Sequence, residues 1–232
     1  MKEIQDREQL SRYLREHRLE TVFNEALNPH LSLFSFEQGE MICSRGEPAR
    51  YLYVLVKGKI KIYTSSAEGK TLILCFKTPI EVIGDIEYIR GSDIVNTVEA
   101  VSPVHMIGIH HRWLKKYGND HAPLLRFLLG IITQKFYIDS NFSSFNLMYP
   151  VEVRLASYLL SVFCEESDNL VRGQLSTTHL MDAANLIGTS YRHLNRVIQK
   201  FCSEGLLQRT RGFITIKDRE GLSALAGHNI YE

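Results

Sequence analysis

Four cysteines in 232 residues, at positions 43, 75, 164 and 202 and with no CxxC pair, leave neither a disulfide framework nor a zinc knuckle to build on. Long apolar runs are also missing. The longest, residues 127–132, falls far short of the ~20 residues needed to cross a bilayer. The first ten residues are polar and of mixed charge, unlike a secretory leader. Net charge is nearly absent, with 27 Lys and Arg against 26 Asp and Glu, which excludes a chain coated with positive charge for general polyanion binding. No GxSxG, Walker A or HExxH motif is present, so no catalytic residue is expected and the chain reads as a non-enzyme. His105, His110 and His111 invite a metal reading, but the HxH-then-Glu order of a cupin is lacking, and no metal is expected. The default is a soluble cytoplasmic protein without a membrane partner. The 44% hydrophobic content is ample for a core, and the length allows one large domain or two modest ones at roughly 100–200 residues each.

The chain changes character along its length. Residues 1–30 read as a charged helical lead, with Leu10, Leu14, Leu19, Val22 and Phe23 near helical spacing and Asn28-Pro29 as its break. Over residues 31–111, glycines at 39, 46, 58, 69 and 84 punctuate short β-rich segments, the rhythm of a sandwich or barrel. Lysines alternate with isoleucines over residues 57–62, and Leu72, Leu74 and Phe76 share a face, as half-buried antiparallel strands require. Residues 67–70 fit a hairpin turn between them.

From Arg112 the period becomes helical. Leu114, Tyr117, His121, Leu124, Leu128, Ile131, Lys135, Ile138, Phe142 and Phe145 follow a 3-4 spacing, with a second stripe of Leu125, Leu129, Ile132 and Phe136 beside it. A helix over 112–148 with two apolar faces needs two partners. One face can cover the chain's own barrel, and the heptad-like seam can pair with a second copy. The expected dimer contacts are therefore Leu124, Leu128, Ile131, Lys135, Ile138 and Phe142, with Lys135 fixing register. Tyr149-Pro150 ends the helix, because proline disfavours the α conformation in the preceding residue.

Residues 149–232 form a second domain. Its decisive stretch is 177–201. Leu180, Ala183, Ala184 and Ile187 make the buried stripe of a first helix, and Ala184 is small where a second helix crosses. Gly188 supplies the positive φ of the turn, and Ser190 caps the next helix. That helix buries Leu194, Val197, Ile198 and Phe201 and turns Tyr191, Arg192, Asn195, Arg196 and Gln199 outward. This is the order of a helix-turn-helix. Residues 206–216 add a two-stranded wing with a basic tip at Arg211. Between Thr189 and Lys217 there are six basic residues and one acid, Glu204, which marks a localised polyanion contact. Tyr191, Arg192, Asn195 and Arg196 are the candidate base readers, and Ser190, His193, Lys200, Arg209 and Arg211 the candidate phosphate contacts on double-stranded DNA.

The pattern A-A-x-x-I-G-x-S-x-x-x-L-x-R-x-I in residues 183–198 resembles the DNA-binding domain of the CRP/FNR family of bacterial regulators. Phe36-x-x-Gly39-x-x-Ile42-x-x-x-Gly46, followed by residues 53–62, resembles that family's cyclic-nucleotide-binding β-roll, and Ser190–Leu194 is most similar to its YeiL-like branch. The resemblance covers about residues 30–217. It implies an α+β fold: a jelly-roll, a long dimerisation helix and a winged helix-turn-helix. It also implies a homodimeric transcription regulator, an activator with RNA polymerase as partner, although the residues themselves do not separate activation from repression. By the same resemblance Gly84, Asp85, Ile86, Glu87 and Arg90 fall in the effector cassette, with Asp85 where the ribose carboxylate is usual. The family's Arg-Ser pair for the phosphate falls near Ile94-Val95, where neither is present, so a cyclic nucleotide is disfavoured. An iron–sulfur cluster is disfavoured as well, because residues 1–42 lack cysteine. The effector stays unassigned. The rival reading is a ligand-binding module that regulates a partner protein.

Overall fold

In the computed structural model, which describes residues 1–65, 71–164 and 174–227, the chain parts into two units, Met1–Phe136 and Tyr137–Glu232. The first holds β1 (Lys2–Ile4), α1 (Arg7–Glu16), β2 (Leu31–Phe36), β3 (Met41–Cys43), β4 (Tyr51–Lys57), β5 (Ile60–Ser65), β6 (Thr71–Lys77), β7 (Glu81–Ile83), α2 (Asp85–Arg90), β8 (Thr97–Ala100), β9 (Val104–His110) and α3 (His111–Tyr117). Two antiparallel sheets result, in the orders β1-β2-β9-β4-β7 and β3-β8-β5-β6. The helix α4 (Ala122–Met148) begins in this unit and continues into the second.

The five-stranded sheet is covered on both faces, which explains why β4 is apolar almost throughout instead of alternating with polar residues. Its Leu52, Val54 and Val56 pack with Leu10, Tyr13, Leu19, Phe23, Leu114, Leu124 and Leu128. Its Tyr53 and Leu55 face the roll interior with Phe34, Phe36, Ile60, Val98 and Met106. The N-terminal lead is thus part of the core. It also opens on a strand that helical spacing did not foretell: β1 pairs antiparallel with β2, Lys2 opposite Ser35.

On β6 the buried side chain is Ile73, while Leu72, on the opposite face, is 43% exposed. The β5–β6 register shifts between Ile62 and Tyr63, and β6 lies at the edge of its sheet. The expected hairpin turn at 67–70 lies outside the described residues.

The expectation of one helix from Arg112 to 148 is corrected. Gly118 to His121 separate α3 from α4. Pro123 is the cause: inside a continuous helix it would remove an N–H and clash with the carbonyl of residue 119, but in the first turn of α4 it costs nothing. A Cβ on Gly118 would press within 2.8 Å of the Leu114 carbonyl and of Leu124, so the corner between the helices is tight.

The expected dimer seam is corrected as well, at Leu124 and Leu128. Leu124 and Leu128 are fully buried in their own unit's core, with Ile131 packed against it, so they are not free to meet a second copy. The neighbouring stripe is the open one, with Leu129 65% and Phe136 74% exposed. Two parallel apolar stripes have the same period, and only the three-dimensional packing decides which one turns inward.

The second unit contains α5 (Val151–Cys164), β10 (Gln174–Ser176), α6 (Leu180–Leu186), α7 (Tyr191–Ser203), β11 (Leu207–Thr210), β12 (Phe213–Ile216) and α8 (Arg219–Leu225). The strands form an antiparallel sheet in the order β10-β12-β11. Leu155, Leu159, Leu180, Ala183, Ala184, Ile187, Leu194, Ile198, Phe201, Ile214 and Leu222 are all buried.

Candidate nucleic-acid interface and effector cassette

The helix-turn-helix is assembled from short-range chemistry. At the end of α6, Ile187 N–H donates to the Ala183 carbonyl at 3.0 Å and Thr189 N–H to that of Ala184 at 2.9 Å. Gly188, at φ 65°, makes the left-handed step between them. Arg154 of α5 donates to the Ile187 carbonyl and holds this turn from beneath. Ser190 then caps α7, its hydroxyl oxygen accepting from His193 N–H at 3.1 Å, which leaves the hydroxyl proton free to donate. Leu194, Val197, Ile198 and Phe201 bury one face of α7, so Tyr191, Arg192, Arg196, Gln199 and Lys200 stand exposed on the other.

Each expected DNA-facing residue has a definite place here. Arg192, Arg196 and Arg211 are exposed, the last beside Gly212 at the wing turn between β11 and β12. Lys200 stands 3.8 Å from Glu152 of α5, a long and solvated ion pair that yields readily to a phosphate. His193 is half-buried, with Nδ1 3.5 Å from the Thr189 hydroxyl. Asn195 is engaged on both sides: its Nδ2 donates to the Tyr191 carbonyl at 2.9 Å, and its Oδ1 accepts from Arg209 Nη1 at 2.7 Å. The Arg209 contact, 14 residues away on β11, was not foreseen, and no spacing rule carries it.

The effector cassette is built differently. Gly84, at φ 88°, caps α2, and a Cβ there would collide with the Tyr51 carbonyl. Asp85 and Glu87 are buried, while Ile86 and Arg90 are exposed. The Lys135 ammonium enters this corner. It donates to the Val82 carbonyl at 2.6 Å and to both Asp85 oxygens at 3.1 and 3.0 Å, and lies 3.0 Å from Glu81 Oε1. Lys77 adds a second cation 3.3 Å from Glu81 Oε2. Burial alone would lower the Lys135 pKa, but the Asp85 and Glu81 charges outweigh it and hold the ammonium above its ordinary range. The expected role of Lys135 in the dimer seam is therefore corrected: its charge is spent within its own unit.

Behind α2, burial and the nearby charges of His110 and Lys115 push His111 down to about 4, and its ring packs against Tyr88. Burial, reinforced by Glu87, pushes the Cys43 thiol up to about 12, far from a reactive thiolate. His105 Nδ1 is 2.8 Å from the Tyr13 hydroxyl. Among the described residues, no three His, Cys, Asp or Glu side chains converge as a metal site. Again among the described residues, no helix is long and apolar enough to cross a membrane.

Two family models match in chain order: a cyclic nucleotide-binding domain over residues 33–119 and a Crp-like helix-turn-helix domain over residues 153–225. The chain belongs to the CRP/FNR family of transcription regulators. It is similar to the regulatory protein YeiL of Escherichia coli, 27% identical over 84% of this chain and 85% of that one. A CRP-like cAMP-activated global transcriptional regulator of Mycobacterium tuberculosis is 22% identical over 87% and 91% of the two chains. Among solved structures, a putative CRP/FNR-family regulator from Eubacterium rectale shares the fold with TM-score 0.77, at 22% identity over 88% and 95% of the chains. As a CRP/FNR regulator the chain is not an enzyme, and its helix-turn-helix domain is the DNA-binding part.

The cassette residues of this CRP/FNR regulator do not fit a cyclic nucleotide. The carboxylate in the ribose position, Asp85, is already bonded to Lys135, and a second carboxylate, Glu81, shares that lysine. Glu87 accepts from Val95 N–H at 2.9 Å and is equally committed. At the two positions where the family resemblance puts the phosphate-binding Arg-Ser pair stand Ile94, which is buried, and Val95.

Proposed function

We propose that this regulator binds a near-palindromic DNA site as a homodimer, each α7 entering one of two successive major grooves about one helical turn apart. The single observation that carries the reading is the exposed row on α7, with Arg192 and Arg196 left open beside Asn195 on a helix whose other face is fully buried. Arg192 and Arg196 suit guanine, Asn195 suits adenine, and Tyr191 completes the row. Ser190, His193, Lys200, Arg209 and Arg211 contact phosphates. The dimer forms through the outer stripe of α4, the exposed Leu125, Leu129 and Phe136 with the half-buried Ile132, and through the half-buried Ile138 and Phe142 further along the helix. The regulator works in the cytoplasm with RNA polymerase as its partner, and its signal is not a cyclic nucleotide.

Selection of duplexes from a random pool tests this, followed by the mass of the complex under non-denaturing conditions. The expected result is an inverted repeat bound by two chains. A single half-site bound by one chain would reject the dimer reading, and no enrichment over competitor DNA would reject base reading.

A further inference from the structure

The Asn195 carboxamide has two donors and two acceptor lone pairs. The Tyr191 carbonyl takes one N–H, and Arg209 Nη1 takes one lone pair of Oδ1. A carbonyl can only accept and a guanidinium can only donate, so both contacts demand the same orientation of the amide and together forbid its flip. What is left for a base is one N–H and one lone pair, the complement of adenine N7 and N6–H in the major groove. Guanine presents two acceptors there and leaves the Asn195 lone pair unmatched.

We propose that Arg209 is a positioning residue: from the wing it fixes the Asn195 carboxamide in the orientation that selects adenine over guanine. This deepens the reading of α7 as the base-reading helix and rests on it. The contact is short and charge-assisted, and Arg209 reaches it from β11, whose pairing with β12 is complete from Leu207 to Thr210. The wing thus contributes to base discrimination through the recognition helix, beyond any charge it brings to phosphates.

The test uses the full-length protein and the duplex it selects, with each base pair of one half-site replaced in turn. Affinities are measured for wild type, Asn195→Ala, Arg209→Met, Arg209→Gln and the double variant Asn195→Ala/Arg209→Met. Asn195→Ala and Arg209→Met should each reduce the preference at the same A·T pair by about tenfold, and the double variant should lose no more than either alone. Arg209→Gln retains a neutral donor, so it should keep most of the preference while losing the charge. The thermal midpoint should stay near wild type for all of them, because both side chains lie at the surface of the wing and helix. If Arg209→Met weakens every duplex equally and leaves the preference intact, Arg209 is a phosphate contact only and the proposal fails. If Asn195→Ala leaves the preference intact, base reading by Asn195 fails and the proposal falls with it.

Discussion

The effector cassette and the DNA-reading face handle charge in opposite ways. At the cassette, Glu81 and Asp85 are buried and each is neutralised by a lysine of the same unit, so the corner is electrostatically closed. At α7 and the wing, six basic residues meet one acid, and Arg192, Arg196 and Arg211 stand exposed. A buried charge must find its counter-ion within the fold, whereas a surface charge held for a polyanion keeps its capacity free. The difference separates a corner whose carboxylates are met by lysines of its own unit from a face whose basic groups await a partner.

The largest effect expected from disturbing this contrast is at the closed end. Lys135→Met strands the buried Asp85 carboxylate and leaves Glu81 with Lys77 as its cation, and should cost about 3–5 kcal/mol, read as a fall in the thermal midpoint. A loss below about 1 kcal/mol would show the cluster to be solvated and the contrast false. The same end should respond to acid through His111. Its folded pKa of about 4 lies below its unfolded value, so the unfolded state binds more protons between the two. Stability from neutral His111 is therefore present above pH ~6.5 and is lost as pH falls towards 4, by up to about 3 kcal/mol. His111→Gln should flatten that part of the stability-against-pH curve, and an unchanged slope would assign the acid loss elsewhere.

The open end should show smaller effects, felt in binding more than in folding. Arg196→Ala should cost roughly 1–3 kcal/mol of affinity for the selected duplex and blur one base pair, while Arg211→Ala should weaken all duplexes alike and reduce the salt slope by about 1. Equal losses for Arg196→Ala on matched and scrambled sites would remove it from base reading. The smallest effect falls on the scaffold. Ser190→Ala removes the cap on α7 and should lower stability by about 1 kcal/mol, measured by denaturant unfolding.

The DNA-reading end was the more legible of the two in the sequence, for a physical reason. Ala184, Gly188, Ser190 and Leu194 act through neighbours within a few residues, so their order in the chain already specifies the turn and the cap. The cassette depends on Lys135 meeting Glu81 and Asp85 some 50 residues away, and no local pattern announces such a meeting. The same limit hid β1, whose pairing with β2 spans some 30 residues, and the Arg209–Asn195 contact. On α4 the two apolar stripes are equivalent by period, and the inward turn of Leu124 and Leu128 is set by packing with Leu52, Val54 and Val56 of β4 and with the N-terminal lead, which lie far away in the chain. The break before α4 was readable at Pro123, where helical spacing and proline chemistry disagree and the proline wins.

The most direct measurement is the affinity of the purified regulator for its selected duplex with and without 3′,5′-cyclic AMP, at fixed salt. With Asp85 held by Lys135, the account predicts tight, sequence-selective binding that the nucleotide changes by less than about twofold. Selective binding that appears only with the nucleotide, or tightens tenfold or more, would contradict it.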